Sequence, residues 1–251
     1  MPSYLITGAS RGVGLAFVSE LLQDPQSFVI ATARNPNTQG LLELSKEYAR
    51  DRLALVPMDV TNAESVNHAV TETEALLHSV GGGLDYLINN AGVALQELNT
   101  FDNVDLDILE QEFRVNSIAP LRVTRAFLPL VRKGQMKKVA FVSSDQASLE
   151  LAPHFVGLAE SYSLTKVALN MLGRSWGSTL RAEGITMILL HPGWVDTDMG
   201  VTIDTYMQEH QPNIKKITPH TSAAGCLRMV KEARLEDGVQ FRKWDGGVIP
   251  W

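Results

Sequence analysis

The chain has 251 residues, 45% of them hydrophobic and 20% charged, the balance of a folded globular protein and neither a disordered tail nor a peptide-sized scaffold. Acidic residues outnumber basic ones 28 to 22, for a formal net charge of -6, and no Lys/Arg-rich block could follow a phosphate backbone, which argues against nucleic-acid binding. The single cysteine, Cys226, has no partner for an internal disulfide, and no His/Cys cluster stands at zinc-ligand spacing.

From the N-terminus, residues 1–8 run straight into a strand and a glycine turn, without the basic segment and apolar stretch of a secretory signal, so a cytoplasmic protein is expected. Strands are predicted at Ser3 to Thr7, Phe28 to Ala33, Leu53 to Met58, Leu84 to Asn89, Lys138 to Ser143 and Thr186 to His191, each a short run rich in β-branched or apolar residues. Between the first two, Val13, Ala16, Phe17, Leu21 and Leu22 recur at helical spacing and the pattern stops before Pro25. Residues 61–80 open on Thr61 with Glu64 three positions on, a capping-box pattern, and carry Val66, Ala69, Val70, Thr73 and Leu77 on one face. The triplet Gly81 to Gly83 reads as the stop of that helix. Residues 105–132 form another long amphipathic stretch with Pro129 near its end, and residues 160–182 a further helix. The apolar runs are strand-sized, well below the roughly 20 residues that span a bilayer. With no linker and no repeat, alternating strands and helices predict one domain over 1–251. The fold class is α/β, Rossmann-type: a doubly wound parallel sheet with helices on both faces and ligands at the carboxyl ends of its strands.

The first strand leads into Thr7-Gly8-Ala9-Ser10-Arg11-Gly12-Val13-Gly14 and then a helix. Three glycines there let the backbone turn sharply and approach a pyrophosphate, with the helix N-terminus supplying positive partial charge. Glycines also serve turns for steric reasons alone, so the flanking strand and helix carry the inference. The second strand ends at Arg34 and not at the carboxylate that holds a ribose 2′-hydroxyl in NAD sites. Arg34 and Arg11 could each be a solvated surface side chain. Together with the missing acid they favour a 2′-phosphate, hence NADP(H).

Tyr162 and Lys166 stand four apart at the start of a helix and so share a face. An ammonium beside a phenol favours the phenolate and brings a tyrosine, ordinarily near pKa 10, closer to proton transfer at neutral pH. Such pairs are common on helix surfaces, and this one gains meaning from Ser144, which follows a strand where it can hydrogen-bond a substrate carbonyl.

In combination, these residues resemble the short-chain dehydrogenases/reductases. Thr7 to Gly14 is similar to the family's glycine loop TGxxxGxG, Asn89-Asn90-Ala91-Gly92 to its NNAG segment, Tyr162 to Lys166 to YxxxK, and Pro192-Gly193 to the turn after its sixth strand. The match runs from residue 3 to about 200. Within the family, residues 191–200 and 245–251 resemble the sniffer and C-factor-like carbonyl reductases. The resemblance implies NADPH-dependent reduction of a ketone, aldehyde or quinone, with Tyr162 as general acid. Lys166 would hold the nicotinamide ribose, Ser144 would orient the carbonyl, and Asn116 would hold a water that links Lys166 to solvent. It also implies cofactor contacts from Gly8, Ser10, Arg11, Gly12, Val13, Gly14, Arg34, Asp59, Val60, Asn90, Ala91, Gly92, Tyr162, Lys166, Pro192, Gly193, Val195 and Thr197, while Asn89 could equally be structural. The partner is a small-molecule carbonyl or alcohol.

Eighteen positions separate Ser144 from Tyr162, more than in many members, so residues 149–161 are expected to carry an insertion at the pocket mouth. The added length leaves Ser143 or Ser144 open as the catalytic serine, with Ser144 preferred. Residues 201–216 are read as a lid over the substrate or as a surface helix. Other functional readings are alcohol oxidation with NAD and a non-catalytic NADP(H) sensor, the second opposed by the intact Tyr, Lys, Ser and Asn. The helices at 105–132 and 160–182 resemble those that form dimer interfaces in the family, so a homodimer or homotetramer is expected, although monomeric members exist.

Overall fold

Buried apolar runs of four to six residues become the strands of one sheet, and the amphipathic segments between them become helices that cover it. The computed structural model describes residues 1–96, 98–100 and 102–251. Its elements in order are β1 (Ser3–Thr7), α1 (Gly12–Leu22), β2 (Phe28–Ala33), α2 (Gln39–Glu47), β3 (Leu53–Pro57), α3 (Ala63–Leu77), β4 (Tyr86–Asn89), α4 (Leu106–Phe113), α5 (Ala119–Lys133), β5 (Lys138–Val142), α6 (Glu160–Leu180), β6 (Thr186–His191), α7 (Asp198–Val201), α8 (Asp204–His210), α9 (Pro219–Glu232) and β7 (Gln240–Lys243). The seven strands lie in the order β3-β2-β1-β4-β5-β6-β7, all parallel.

Side chains alternate across the sheet with the period of two that a strand imposes. Leu5 of β1, aligned with Ile30 of β2 and Leu87 of β4, packs with Phe127 and Val131 of α5, Val66 of α3 and Leu169 of α6. Tyr4 and Ile6 face the other way, onto Phe17 and Leu21 of α1 and Cys226 and Val230 of α9. Because both faces are covered, β1, β2, β5 and β6 are buried along their whole length. Cys226 is part of that core, and burial pushes its thiol up to about 12.

Several expectations need correction. Helix α3 is capped by Asn62, whose Oδ1 accepts from Ser65 N at 2.9 Å, whereas Thr61 donates its hydroxyl to Asp59 Oδ1 at 2.7 Å. The stretch 105–132 is not one helix: α4 gives way to a π-helical turn at Arg114–Ile118 before α5 begins, and Pro129 lies inside α5. Helices α2 and α9 and strand β7 were not among the predicted elements. Of residues 149–161, those up to 159 form a 3-10 turn at Ala152–His154 and an irregular run that packs on α8, and the last two begin α6. There Tyr206 Oη donates to Val156 O at 3.0 Å, Gln211 Nε2 donates to His154 O at 3.2 Å, and Leu158 packs with Tyr206 and Met207. The segment from Asp196 to Lys216, which contains α7 and α8, is closed at its base by Asp196 N donating to Ile217 O at 2.8 Å and Ile217 N to Trp194 O at 2.9 Å. Among the described residues, no helix is long and apolar enough to cross a membrane.

Candidate active site

The sheet order reverses between β1 and β4, so the turns that leave these two strands diverge and open a crevice at their carboxyl ends. A cleft of about 840 Å³ lies there. Its floor is stitched by the two turns themselves: Asn90 N and Ala91 N both donate to Thr7 Oγ1 at 3.0 Å, and Asn90 Nδ2 donates to Thr7 O at 2.9 Å. Asn89 Nδ2 donates to Thr124 Oγ1 at 3.1 Å and is buried, a structural role.

The glycine turn fits a bound pyrophosphate. Gly8 has φ +66°, and a Cβ on Gly14 would lie 2.2 Å from Gly8 O, so no larger residue allows the turn to fold this tightly against α1. The α1 N-terminus carries no side-chain cap and no acidic residue in its first turn. Its free N–H groups and positive dipole end are therefore unneutralised within the helix. Gly8, Ser10, Arg11, Gly12, Val13 and Gly14 all line the cleft.

At the far end the cleft is lined by Arg34, Asp59 and Val60. Hydrogen bonds from Thr61 hold the Asp59 carboxyl below its ordinary value, with smaller pulls from Arg34 and Arg122. Arg34 is exposed and makes no ion pair among the described residues. Arg11 is ion-paired to Asp198 across the mouth of the cleft.

At the other end, Tyr162 and Lys166 of α6 reach the cleft beside Ala91, Gly92, Pro192 and Thr197. Lys166 Nζ donates to Val142 O at 2.9 Å and lies 5.5 Å from the centre of the Tyr162 ring. Burial lowers its ammonium to about 8. The Tyr162 phenol is raised above its ordinary value, first by burial and then by the carboxylates of Asp145 and Glu112, and the Ser144 hydroxyl at the phenol oxygen lowers it in part. Ser143 lines the cleft, but its hydroxyl donates to Asn170 Oδ1 at 2.6 Å and so faces the core. Ser144 lies just outside the lining, beside Tyr162.

Asn116 sits in the π-helical turn, a distortion that often marks functional positions. Its Nδ2 donates to Val93 O at 2.8 Å and Thr165 Oγ1 at 3.0 Å, and its Oδ1 accepts from Val93 N at 2.9 Å. Both amide hydrogens are taken up, so only an Oδ1 lone pair remains for a water. A Cβ on Gly92 would lie 3.3 Å from Asn116 Oδ1 and 3.4 Å from Lys166 Nζ, which places those two polar atoms around one small gap.

Two expected cofactor residues do not line the cleft. Gly193 turns with φ +89° against Trp244, and Val195 is buried and bridged to Ile217. Conversely, Glu43 and Glu47 of α2, Asp198 of α7 and His220 of α9 line it without having been singled out, and Met199 of α7 lines it too. For Glu43 and Glu47 the available signal was their place just after the second strand. Phe155 and Trp194 pack on the Tyr206 cluster, and Trp251 packs on Phe241.

Fold and site together define an oxidoreductase that works with a nicotinamide dinucleotide. The family model for short chain dehydrogenases matches residues 3–208. An NADPH-bound carbonyl reductase from chicken fatty liver superposes with a TM-score of 0.86 at 36% identity, covering 100% of this chain and 99% of that one. The carbonyl reductase Sniffer of D. melanogaster superposes with a TM-score of 0.86 at 27% identity, covering both chains fully (100% and 100%). An uncharacterized oxidoreductase of Schizosaccharomyces pombe is 31% identical over 99% of this chain and 97% of its own length. The chain belongs to the short-chain dehydrogenase family.

Proposed function

We propose that the protein is a cytoplasmic NADPH-dependent carbonyl reductase that converts a ketone, aldehyde or quinone to its alcohol, with Tyr162 as the general acid. When bound, NADPH supplies a hydride to the carbonyl carbon. Tyr162 donates its phenolic proton to the carbonyl oxygen, so hydride and proton together complete the alcohol. Ser144 donates a hydrogen bond to the same oxygen and polarises it. Lys166 holds the nicotinamide ribose hydroxyls, and Asn116 orders the turn beside it and accepts from the water that joins Lys166 to solvent.

The glycine turn and the α1 N-terminus hold the pyrophosphate, with Arg34 and Arg11 on the 2′-phosphate, Asp59 and Val60 at the adenine and Asn90 to Gly92 at the ribose. Thr197, which lines the cleft, stands at the carboxamide. A second copy of the chain pairs on the surface of α4, the π-helical turn and α6, where Leu106, Ile118, Leu164 and Met171 are exposed.

The observation that carries this reading is that Tyr162 and Lys166 line one end of a crevice whose other end is formed by the glycine turn and Arg34. The test is NADPH consumption with a panel of aldehydes, α-diketones, quinones and aromatic ketones. Tyr162→Phe is expected to lose roughly 10² to 10⁴ in turnover while NADPH still binds. Full turnover by that variant would overturn the reading.

A further inference from the structure

We propose that Asn170 is a positioning residue: from one turn beyond Lys166 on α6, its buried amide grips the chain after β5 on both sides of Ser144 and so sets where the Ser144 hydroxyl points. The inference rests on the reading that Ser144 hydrogen-bonds the substrate carbonyl. Asn170 belongs to none of the motifs that assigned the other roles, and it is not among the residues that line the cleft.

The contacts run from helix to turn. Ser143 Oγ donates to Asn170 Oδ1 at 2.6 Å, and Asn170 Nδ2 donates to Ala147 O at 3.4 Å. One side chain thus holds the residue before Ser144 and the carbonyl three residues after it. Asn170 is buried, and a buried amide without partners bears the full cost of its lost hydration, which favours this one geometry. On the same helix, Lys166 Nζ donates to Val142 O at 2.9 Å and Ser163 Oγ to Gln146 Oε1 at 3.0 Å. Residues 163, 166 and 170 stand three and four apart, so one face of α6 ties down Val142, Ser143, Gln146 and Ala147. Tyr162 lies one turn before Lys166, and the turn is therefore fixed to the helix that carries the proton donor.

Ser144 lies between these ties. Its backbone is extended, with φ -148° and ψ 150°, so the Ser143 and Ser144 side chains leave the chain on opposite sides and anchoring the first sets the direction of the second. The Ser144 hydroxyl oxygen accepts from Gln146 N at 3.3 Å, and Ala147 N donates to Ser144 O at 2.9 Å. The hydroxyl therefore inherits its place from the main chain at Gln146 and Ala147. On the sheet side, Ser143 N donates to Leu190 O at 2.6 Å and Asp145 N to His191 Nδ1 at 3.1 Å, both acceptors belonging to β6. The sheet thus holds the main chain of the turn, and Asn170 is the side chain through which α6 holds both flanks of Ser144. Without it, the Ser143 hydroxyl must find another acceptor and Ala147 O loses a donor, so the turn shifts against α6. A group that binds the reacting carbonyl loses much of its effect on rate when displaced by about 1 Å.

A double-mutant cycle reads this, using NADPH and the most rapidly reduced α-diketone or quinone of the panel. Ser144→Ala is expected to lower kcat roughly 10²- to 10³-fold. Asn170→Ala should lower it about tenfold with NADPH affinity unchanged by fluorescence titration, and the same substitution made in Ser144→Ala should cost at most about twofold. Ser143→Ala, a smaller change to the core, should behave as Asn170→Ala does in both backgrounds. A crystal structure of Asn170→Ala, which needs no substrate, should show the Ser144 hydroxyl displaced from Gln146 N. Losses that persist undiminished in the Ser144→Ala background would overturn the proposal, because they would mark a merely structural role. An unmoved Ser144 hydroxyl, or full turnover in folded Asn170→Ala and Ser143→Ala, would overturn it as well. Full turnover in Ser144→Ala alone would instead overturn the reading of Ser144 on which the inference rests, a result separable from the rest of the cycle.

Discussion

Arg34 and Arg11 reach the cleft under different conditions, and this decides which of them discriminates between cofactors. Arg34 is exposed just after β2 with no ion-pair partner among the described residues, whereas Arg11 must exchange its exposed ion pair with Asp198, so Arg34 gives the larger share of the contact with a 2′-phosphate. A charge-assisted hydrogen bond contributes about 1.5 to 3 kcal/mol. Arg34→Asp is therefore expected to weaken NADPH binding roughly 10- to 100-fold and to leave NADH little changed, as measured by fluorescence titration of both cofactors. An unaltered protein that binds NADH more tightly than NADPH would reverse the cofactor assignment. At this scale, the residues that fall in compact motifs, such as Gly8 to Gly14 and Tyr162 with Lys166, were legible because their chemistry needs fixed spacings. Asp145 and His191 are 46 positions apart and meet only because β5 and β6 are neighbours, which no local pattern announces. Adjacent Ser143 and Ser144 were distinguishable only once Asn170 was seen to take the Ser143 hydroxyl.

Among the elements, α3 shows how a cap can move by one residue. Thr61 and Glu64 satisfy the capping-box pattern, yet Asp59 takes the Thr61 hydroxyl and Asn62 caps the helix. Asn62→Ala is expected to cost about 1 kcal/mol, visible as a lower urea midpoint with an unchanged slope. No loss of stability would mean that water replaces the Asn62 side chain at no cost. The strands were legible because two covered faces demand continuous apolar runs. Helix α9 carries a sequence signal too, since Ala223, Cys226, Leu227 and Val230 follow helical spacing behind the Thr218 cap and Pro219. Helix α2 buries only Leu41 and edge strand β7 buries only Phe241, so each leaves a faint pattern. The π-helical turn at Asn116 has no sequence signature, because it arises where the helix gains one residue per turn to meet Val93 and Thr165.

For the molecule as a whole, Leu106 of α4, Ile118 of the π-helical turn and Leu164 and Met171 of α6 are exposed apolar side chains, the kind of surface a second copy of the chain would cover. Sedimentation should show a dimer or tetramer, and Leu164→Lys with Met171→Lys should yield monomers that keep their fold. A monomer in the unaltered protein would remove this face from the account. The sheet itself is indifferent to such pairing, since its strands are covered within one chain. The same independence holds on the opposite side of the cleft. Asp196 to Lys216 leaves and rejoins the fold through neighbouring hydrogen bonds at Trp194, Asp196 and Ile217, so its two ends stay together whatever lies between them. Lengthening such a branch costs little, because closure entropy grows only slowly with loop length. Asp196 to Met199 form part of the cleft wall, while the glycine turn and Tyr162 sit on other elements. Descendants of this chain can therefore vary the branch and change which compounds they admit, with the dinucleotide seat and the proton donor carried forward intact.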